Sequence, residues 1–235
     1  MFDEPFMKNI DEDTPTFVIS TLDEQSRDRV NQVEQHLRRA GFRNSQIIQA
    51  KTPQTEDFEH RGLPDVLQGR WRTDLQHLWG TAACTLSHIQ FYDRAEHQLP
   101  IIILEDDVTI HPDFFRFLDD VDIPDEIEWD LCHLSYNNPQ FSSQANLNRL
   151  VAPHLLMCPP DEITGAYSYI VNRSFLDRFL PSVEEVDWQL AHQTDEIASY
   201  VIEHDPPLTA PDYRLESVRM SLDHVSWHQN NPTTD

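Results

Sequence analysis

One short segment limits what this chain can fold into. Pro100 is followed by Ile101, Ile102, Ile103 and Leu104, an unbroken apolar run, and then at once by Glu105, Asp106 and Asp107. Consecutive bulky apolar residues, most of them β-branched, suit a strand covered on both faces, as a central strand of an α/β sheet is. Such a strand ends in adjacent carboxylates only where its end reaches a polar place, because desolvating neighbouring like charges is costly. In an open α/β sheet the carboxyl end of a strand is also where ligands bind. Side chains alternate along an extended chain, so Glu105 and Asp107 are expected on one side and Asp106 on the other. Hard oxygen donors of this kind suit Mg2+ or Mn2+. The competing reading is a solvated acidic turn, which a chain with 41 Asp plus Glu produces readily.

The segments around this strand read as alternating β and α. Thr16–Ser20 (TFVIS) is a short apolar β-type run. Residues 29–40 have helical spacing, with Val30, Val33 and Leu37 on one face and Gly41 as the stop. Residues 46–50 (QIIQA) read as a second strand, and this β-α-β start points to a parallel, nucleotide-binding type of sheet. Residues 52–75 are polar and read as a long loop. Residues 81–97 read as a helix with Cys84, His88, Phe91 and Ala95 on one face. An extended segment at Val108–Ile110, a short helix from Pro112 to Leu118 and a strand within residues 129–135 follow. Residues 150–157 read as one strand, 164–171 (TGAYSYIV) as another and 173–180 as a helix. Residues 187–201 read as a further helical stretch.

Length and charge narrow the classes of function. The 235 residues fit a single α/β domain. Residues 1–15 read as a flexible acidic leader, 16–205 as the domain, and 206–235 as a C-terminal tail packed on it. The net charge of −24 argues against a nucleic-acid partner and against anionic membrane surfaces. No apolar run approaches the roughly 18–20 residues of a membrane span, and the opening lacks the basic and apolar regions of a signal peptide. Cys84, Cys132 and Cys158 form neither a zinc spacing nor a disulfide framework. The expectation is a cytoplasmic protein of undetermined oligomeric state, with no integral membrane segment.

Four segments carry a family resemblance. Residues 81–92 (TAACTLSHIQFY) resemble the GCALSH helix of glycosyltransferase family 25, which includes lipopolysaccharide glycosyltransferases and collagen-type galactosyltransferases. Ala83 stands where the family has Gly before Cys, and Thr85 where it has Ala after it. Residues 103–108 (ILEDDV) resemble the family's acidic motif at the expected distance. Residues 164–173 (TGAYSYIVNR) are similar to its TGxYxYxxSR segment, with Val186 and Asp187 following. Residues 18–29 (VISTLDEQSRDR) are similar to its INLDRxxxR opening, although Asp23 and Glu24 stand where Asp-Arg is common. The resemblance spans about residues 16–190.

It implies a GT-A type fold, a Rossmann-like mixed sheet flanked by helices. It also implies a nucleotide-sugar donor, expected to be a UDP-sugar, with Mn2+ or Mg2+, and inversion at the anomeric carbon. The sugar is expected to be a hexose such as galactose or glucose, and the acceptor a hydroxyl of a saccharide, glycolipid or protein. On this basis Asp107 and Glu105 are the expected metal ligands, and Asp106 is expected on ribose or metal. Ser20, Thr21 and Ala50 are expected at base and ribose. Arg27, with Arg29 beside it in sequence, is expected at the diphosphate. Ser87 and His88 are expected at phosphate or against Glu105. Thr164, Gly165 and Tyr167 are expected to line the sugar pocket.

An inverting transfer needs a base to deprotonate the acceptor. Asp187 is the candidate, with Glu184, Glu185, Asp195 and Glu196 as rivals. His224 and His228 are available to complete a metal site. Two other readings stay open: a metal-dependent nucleotidyltransferase or phosphohydrolase, and a non-catalytic sugar- or nucleotide-binding derivative. The first lacks a Gly-rich phosphate loop in a chain with 5 Gly. The second draws on Glu24 in place of Arg.

Overall fold

The computed structural model describes residues 10–24, 26–52, 78–95, 100–121, 128–135, 150–158, 166–172 and 198–212. The run at Ile101–Glu105 is strand β3, and Ile101 to Leu104 have no exposed surface. It lies in an eight-stranded sheet with β1 (Thr16–Ser20), β2 (Ser45–Gln49), β5 (Leu131–His133), β6 (Leu150–Ala152), β7 (Leu155–Met157), β8 (Ser168–Val171) and β9 (Ser199–Ile202). The order is β2-β1-β3-β8-β5-β9-β7-β6. β2, β1 and β3 run parallel, and β8 enters antiparallel between β3 and β5. β5 and β9 are parallel, and β7 and β6 close the far edge antiparallel. This is the mixed α/β sheet expected from the sequence.

Period-two alternation sends β3 side chains into two different cores. Ile102 and Leu104 pack with Val18 of β1 and with Val33 and Leu37 of helix α1 (Arg27–Ala40). Ile101 and Ile103 pack instead with Phe17, Ile19 and Phe91, the last on helix α2 (Leu78–Ala95). One helix therefore covers each face, which is why β3 carries no polar residue before Glu105. In α1 the buried residues are Arg29, Val33, Leu37 and Ala40, and the helix ends at Gly41 with φ of +92°. Only glycine enters that left-handed conformation without steric cost.

Two sequence expectations change. The helical stretch expected across 187–201 gives way at its end to β9, a strand from Ser199 that pairs with β5 and β7. Residues 187–197 lie outside the described residues, as do 53–75 of the expected loop and the expected helix at 173–180. The single strand expected at 150–157 is two, because the chain turns back through His154 at φ of +63°. A second, two-stranded sheet pairs β4 (Val108–Ile110) with β10 (Thr209–Pro211). Helix α3 (Phe114–Asp119) packs Phe114, Phe117 and Leu118 into the α1-side core.

Ile102 is fully buried in the core that β3 shares with α1. Ile102→Ala is expected to cost about 2–5 kcal/mol of stability, measured by urea unfolding.

Candidate functional site

The chain departs from β1 toward β2 on one side and reaches β3 on the other. The carboxyl ends of β1 and β3 thus form the crevice where open α/β sheets bind ligands. Ile19 lies opposite Glu105 in the parallel register. The Asp106 N–H donates to Ile19 O at 3.1 Å and the Glu105 N–H to Tyr167 O at 2.8 Å. These bonds fix Asp106 against β1 and Glu105 against the residue before β8. Asp106 and Asp107 form a turn between β3 and β4. Glu105 faces α2 through His88, and Asp106 faces α1 through Arg29.

On the α1 side, Ser20 Oγ donates to Asp106 Oδ2 at 2.5 Å. Arg29 Nε lies 3.5 Å from Asp106 Oδ1, and both side chains are buried. Burial pushes the Asp106 carboxyl up to about 6, with Glu105 and Asp23 adding to the rise, while the Ser20 bond and the Arg29 charge oppose it. Leu22 follows with φ of +55°, and it is half exposed. Its N–H donates to Ser20 Oγ at 3.3 Å. A non-glycine residue in this conformation is uncommon and concentrates at ligand-binding turns.

On the α2 side, His88 Nε2 meets Glu105 Oε1 at 3.2 Å and His88 Nδ1 meets the Tyr169 hydroxyl at 2.8 Å. A Tyr169 O–H donating to Nδ1, with Nε2–H donating to the carboxylate, satisfies all three groups. His88 is fully buried. The Cys84 thiol points to the same oxygen, Sγ to Oε1 3.8 Å. Ser87 Oγ donates to Ala83 O at 2.7 Å and accepts the Lys51 N–H at 2.8 Å. Its hydroxyl thereby ties α2 to the end of β2.

Asp107 sits in the turn itself. Burial pushes its carboxyl up to about 7, and the neighbouring Glu105 and Asp106 charges add to it. Its Oδ1 is buried and has no hydrogen-bond partner among the described residues. A buried, unsatisfied carboxylate oxygen beside two other acids is a cost that a bound cation offsets. The residues present therefore fit a hard divalent ion. The Asp212 N–H donates to Asp107 O at 2.7 Å, which brings another buried acidic residue to the turn from the end of β10. β10 is anchored by a buried triangle of hydroxyls, Ser135, Ser168 and Thr209, with oxygens 2.7–2.9 Å apart.

The fold brings together Ser20, Asp106, Asp107, Glu105, His88 and Ser87 from the expected set. Thr21 lies half-buried next to Ser20. Ala50 is buried, and its N–H donates to Ser20 O at 2.6 Å. Tyr167 is buried in the α1-side core, and its carbonyl holds Glu105. Arg27 is exposed, and Arg29 is the arginine at the carboxylates. Asp187, Thr164 and Gly165 lie outside the described residues, as do Glu184, Glu185, Asp195, Glu196, His224 and His228. Sequence reasoning missed Tyr169 and Asp212. Tyr169 had a signal, since it alternates with Ser168 and Ile170 toward the α2 face. Asp212 had none, because its approach depends on a pairing of strands about a hundred residues apart.

The chain belongs to glycosyltransferase family 25: the model of that family, described as an LPS biosynthesis protein, matches residues 13–197. Its role is accordingly glycosyl transfer, which requires a sugar donor and an acceptor. Among solved structures, a glycosyltransferase involved in the glycosylation of the major capsid of PBCV-1 aligns over 90% of this chain and 97% of its own, at 14% identity and a TM-score of 0.42. A protein from STIV aligns over 81% of this chain and 82% of its own, at 11% identity and a TM-score of 0.36. At these values neither likeness bears on the chemistry. No curated protein matches. Among the described residues, no helix is long and apolar enough to cross a membrane.

Asp107 supplies a test of the site's electrostatics. Its folded pKa of about 7 lies above the ordinary 3.8, so between those values the folded state binds more protons than the unfolded. Its contribution is fully present below about pH 4 and is lost as pH rises through 7. Burial pulls His133 the opposite way, from 6.5 down to about 4, so wild-type protein alone shows a mixture. The stability gap between Asp107→Asn and metal-free wild type isolates the carboxylate. Expected is a gap favouring the variant that widens from pH 5 to pH 8, read by urea midpoints; a gap independent of pH contradicts the assignment.

Proposed function

We propose that this protein is an inverting hexosyltransferase of GT-A type, moving a sugar such as galactose or glucose from a UDP-sugar to a hydroxyl of a saccharide, glycolipid or protein. The supporting observation is the meeting of Ser20, Arg29 and Asp106 with the Asp107 carboxylate, whose buried Oδ1 lacks a partner among the described residues, at the joined ends of β1 and β3. Asp107, with Glu105 beside it, would hold Mn2+ or Mg2+, which would supply positive charge to offset that growing on the leaving diphosphate.

The chain's own residues do the rest. Ser20, Thr21 and Ala50 shape the seat for base and ribose. Asp106 faces the ribose hydroxyls, kept in place by Ser20 and Arg29. Arg27, exposed near the helix start, addresses the diphosphate. Ser87 and His88 hold the α2 side of the seat, His88 by orienting Glu105. Thr164, Gly165 and Tyr167 line the sugar pocket, and Asp187 takes the proton from the acceptor hydroxyl. Three free thiols accord with a cytoplasmic site of action.

The test is release of free nucleoside diphosphate from a panel of nucleotide sugars with Mn2+. Metal-dependent release from one UDP-sugar is expected, falling on the order of 100-fold or more in Asp107→Asn, the scale seen when a charge-stabilising group is removed. Release of monophosphate or pyrophosphate would favour a phosphohydrolase or nucleotidyltransferase. Donor binding with no turnover across donors and acceptors would favour a non-catalytic derivative. An unchanged rate in Asp107→Asn would remove the carboxylate from the site.

A further inference from the structure

Cys84 and His88 are one helical turn apart on α2, so both side chains leave the same face. That face meets Glu105 at the end of β3. One ligand atom from each of Cys84, His88 and Glu105 lies within 4.8 Å of the other two. A thiol, an imidazole and a carboxylate so placed present the donor set of a borderline-soft ion, unlike the all-oxygen turn at Asp106 and Asp107.

We propose that Cys84, His88 and Glu105 form a binding site for a divalent cation of the zinc class, separate from the carboxylate site for a hard ion and sharing only Glu105 with it. The distances carry this. Ordinary zinc bond lengths in a tetrahedron separate an imidazole nitrogen from a carboxylate oxygen by about 3.4 Å and a thiolate sulfur from that oxygen by about 3.6 Å. The observed separations are 3.2 Å for His88 Nε2 to Glu105 Oε1 and 3.8 Å for Cys84 Sγ to the same oxygen. The second is long for a thiol hydrogen bond, yet close to what two ligands of one ion require.

The surroundings fit as well. The Tyr169 hydroxyl lies 2.8 Å from His88 Nδ1. When Nε2 binds an ion, Nδ1 carries the proton and donates it to that hydroxyl, the outer contact that metal-binding histidines use to fix tautomer and orientation. His88 is fully buried, whereas the Glu105 side chain is 30% exposed and Cys84 is half-buried, which gives the ion a way in from one side. Three protein ligands leave a fourth position for water. Binding is balanced by loss of the thiol proton: Cys84–SH and M2+ give Cys84–S–M+ and H+. Burial pushes the Cys132 thiol up, so it does not compete as a thiolate ligand.

The site does not depend on the sugar-transfer reading, and cobalt absorption tests it without any substrate. Protein dialysed against a chelator, under a non-thiol reductant, is titrated with Co2+. Expected is one equivalent bound, with a thiolate-to-cobalt charge-transfer band in the near ultraviolet that Zn2+ bleaches. Cys84→Ser loses the band and Asp107→Asn keeps it. Tyr169→Phe keeps it but binds cobalt about 10-fold or more weakly, as removal of an outer hydrogen bond does. Wild-type protein gives a second readout that no misfolded variant can blur: Zn2+ slows alkylation of Cys84, mapped by mass spectrometry. Cobalt bound without the band, a band retained in Cys84→Ser, or alkylation of Cys84 unaffected by Zn2+ overturns the proposal. Failure of nucleotide-sugar turnover with these signals intact would count against the transfer reading alone.

Discussion

The structure turns on where strand β3 stops being covered. Up to Leu104 it lies between two helices and tolerates only aliphatic side chains. One residue later it must deliver carboxylates to a place where charge is bearable. The Ser20 hydroxyl and the Arg29 guanidinium meet that need on the α1 side, and His88 meets it on the α2 side. Asp107 is the residue left least compensated, with a raised pKa and a buried oxygen lacking a partner among the described residues. An ion pair taken out of water seldom adds much net stability. Here the burial is better understood as holding charged groups in one geometry for something else to bind.

The sheet explains why these groups meet. Parallel pairing of β1 with both β2 and β3 sets the ends of strands far apart in sequence side by side. Alternation along β3 then divides the acidic residues. Glu105 belongs to the face with α2, Asp106 to the face with α1, and Asp107 to the turn. What the sequence presents as one acidic cluster is, in space, a pair of neighbouring environments with different donors. Membership of glycosyltransferase family 25 supplies the kind of reaction, while these environments supply the means of binding.

Much of this was legible beforehand. The apolar run, the stop at Gly41 and the β-α-β opening are strong local patterns, and each produced the element expected. Arg29 was also readable: it lies four residues before Val33 on the buried stripe of α1, while Arg27 does not. The failures have a common cause. β9 is a four-residue strand whose identity comes from pairing with β5 and β7, not from its own composition. The hairpin at β6 and β7 depends on one residue with positive φ. Pairing between distant segments overrides short propensities, and a single sequence does not display it.

The pairing of β4 with β10 has a consequence in time as well as in space. Thr109 lies opposite Ala210, so the strand leaving the acidic turn finds its partner only after about a hundred further residues exist. Contacts this distant in sequence form late, because the loop between them must close first. During synthesis the apolar core of β1, β3 and α1 can assemble while the Asp107 turn still lacks its backbone bond from Asp212. The acidic turn therefore reaches its finished geometry only once β10 has paired with β4.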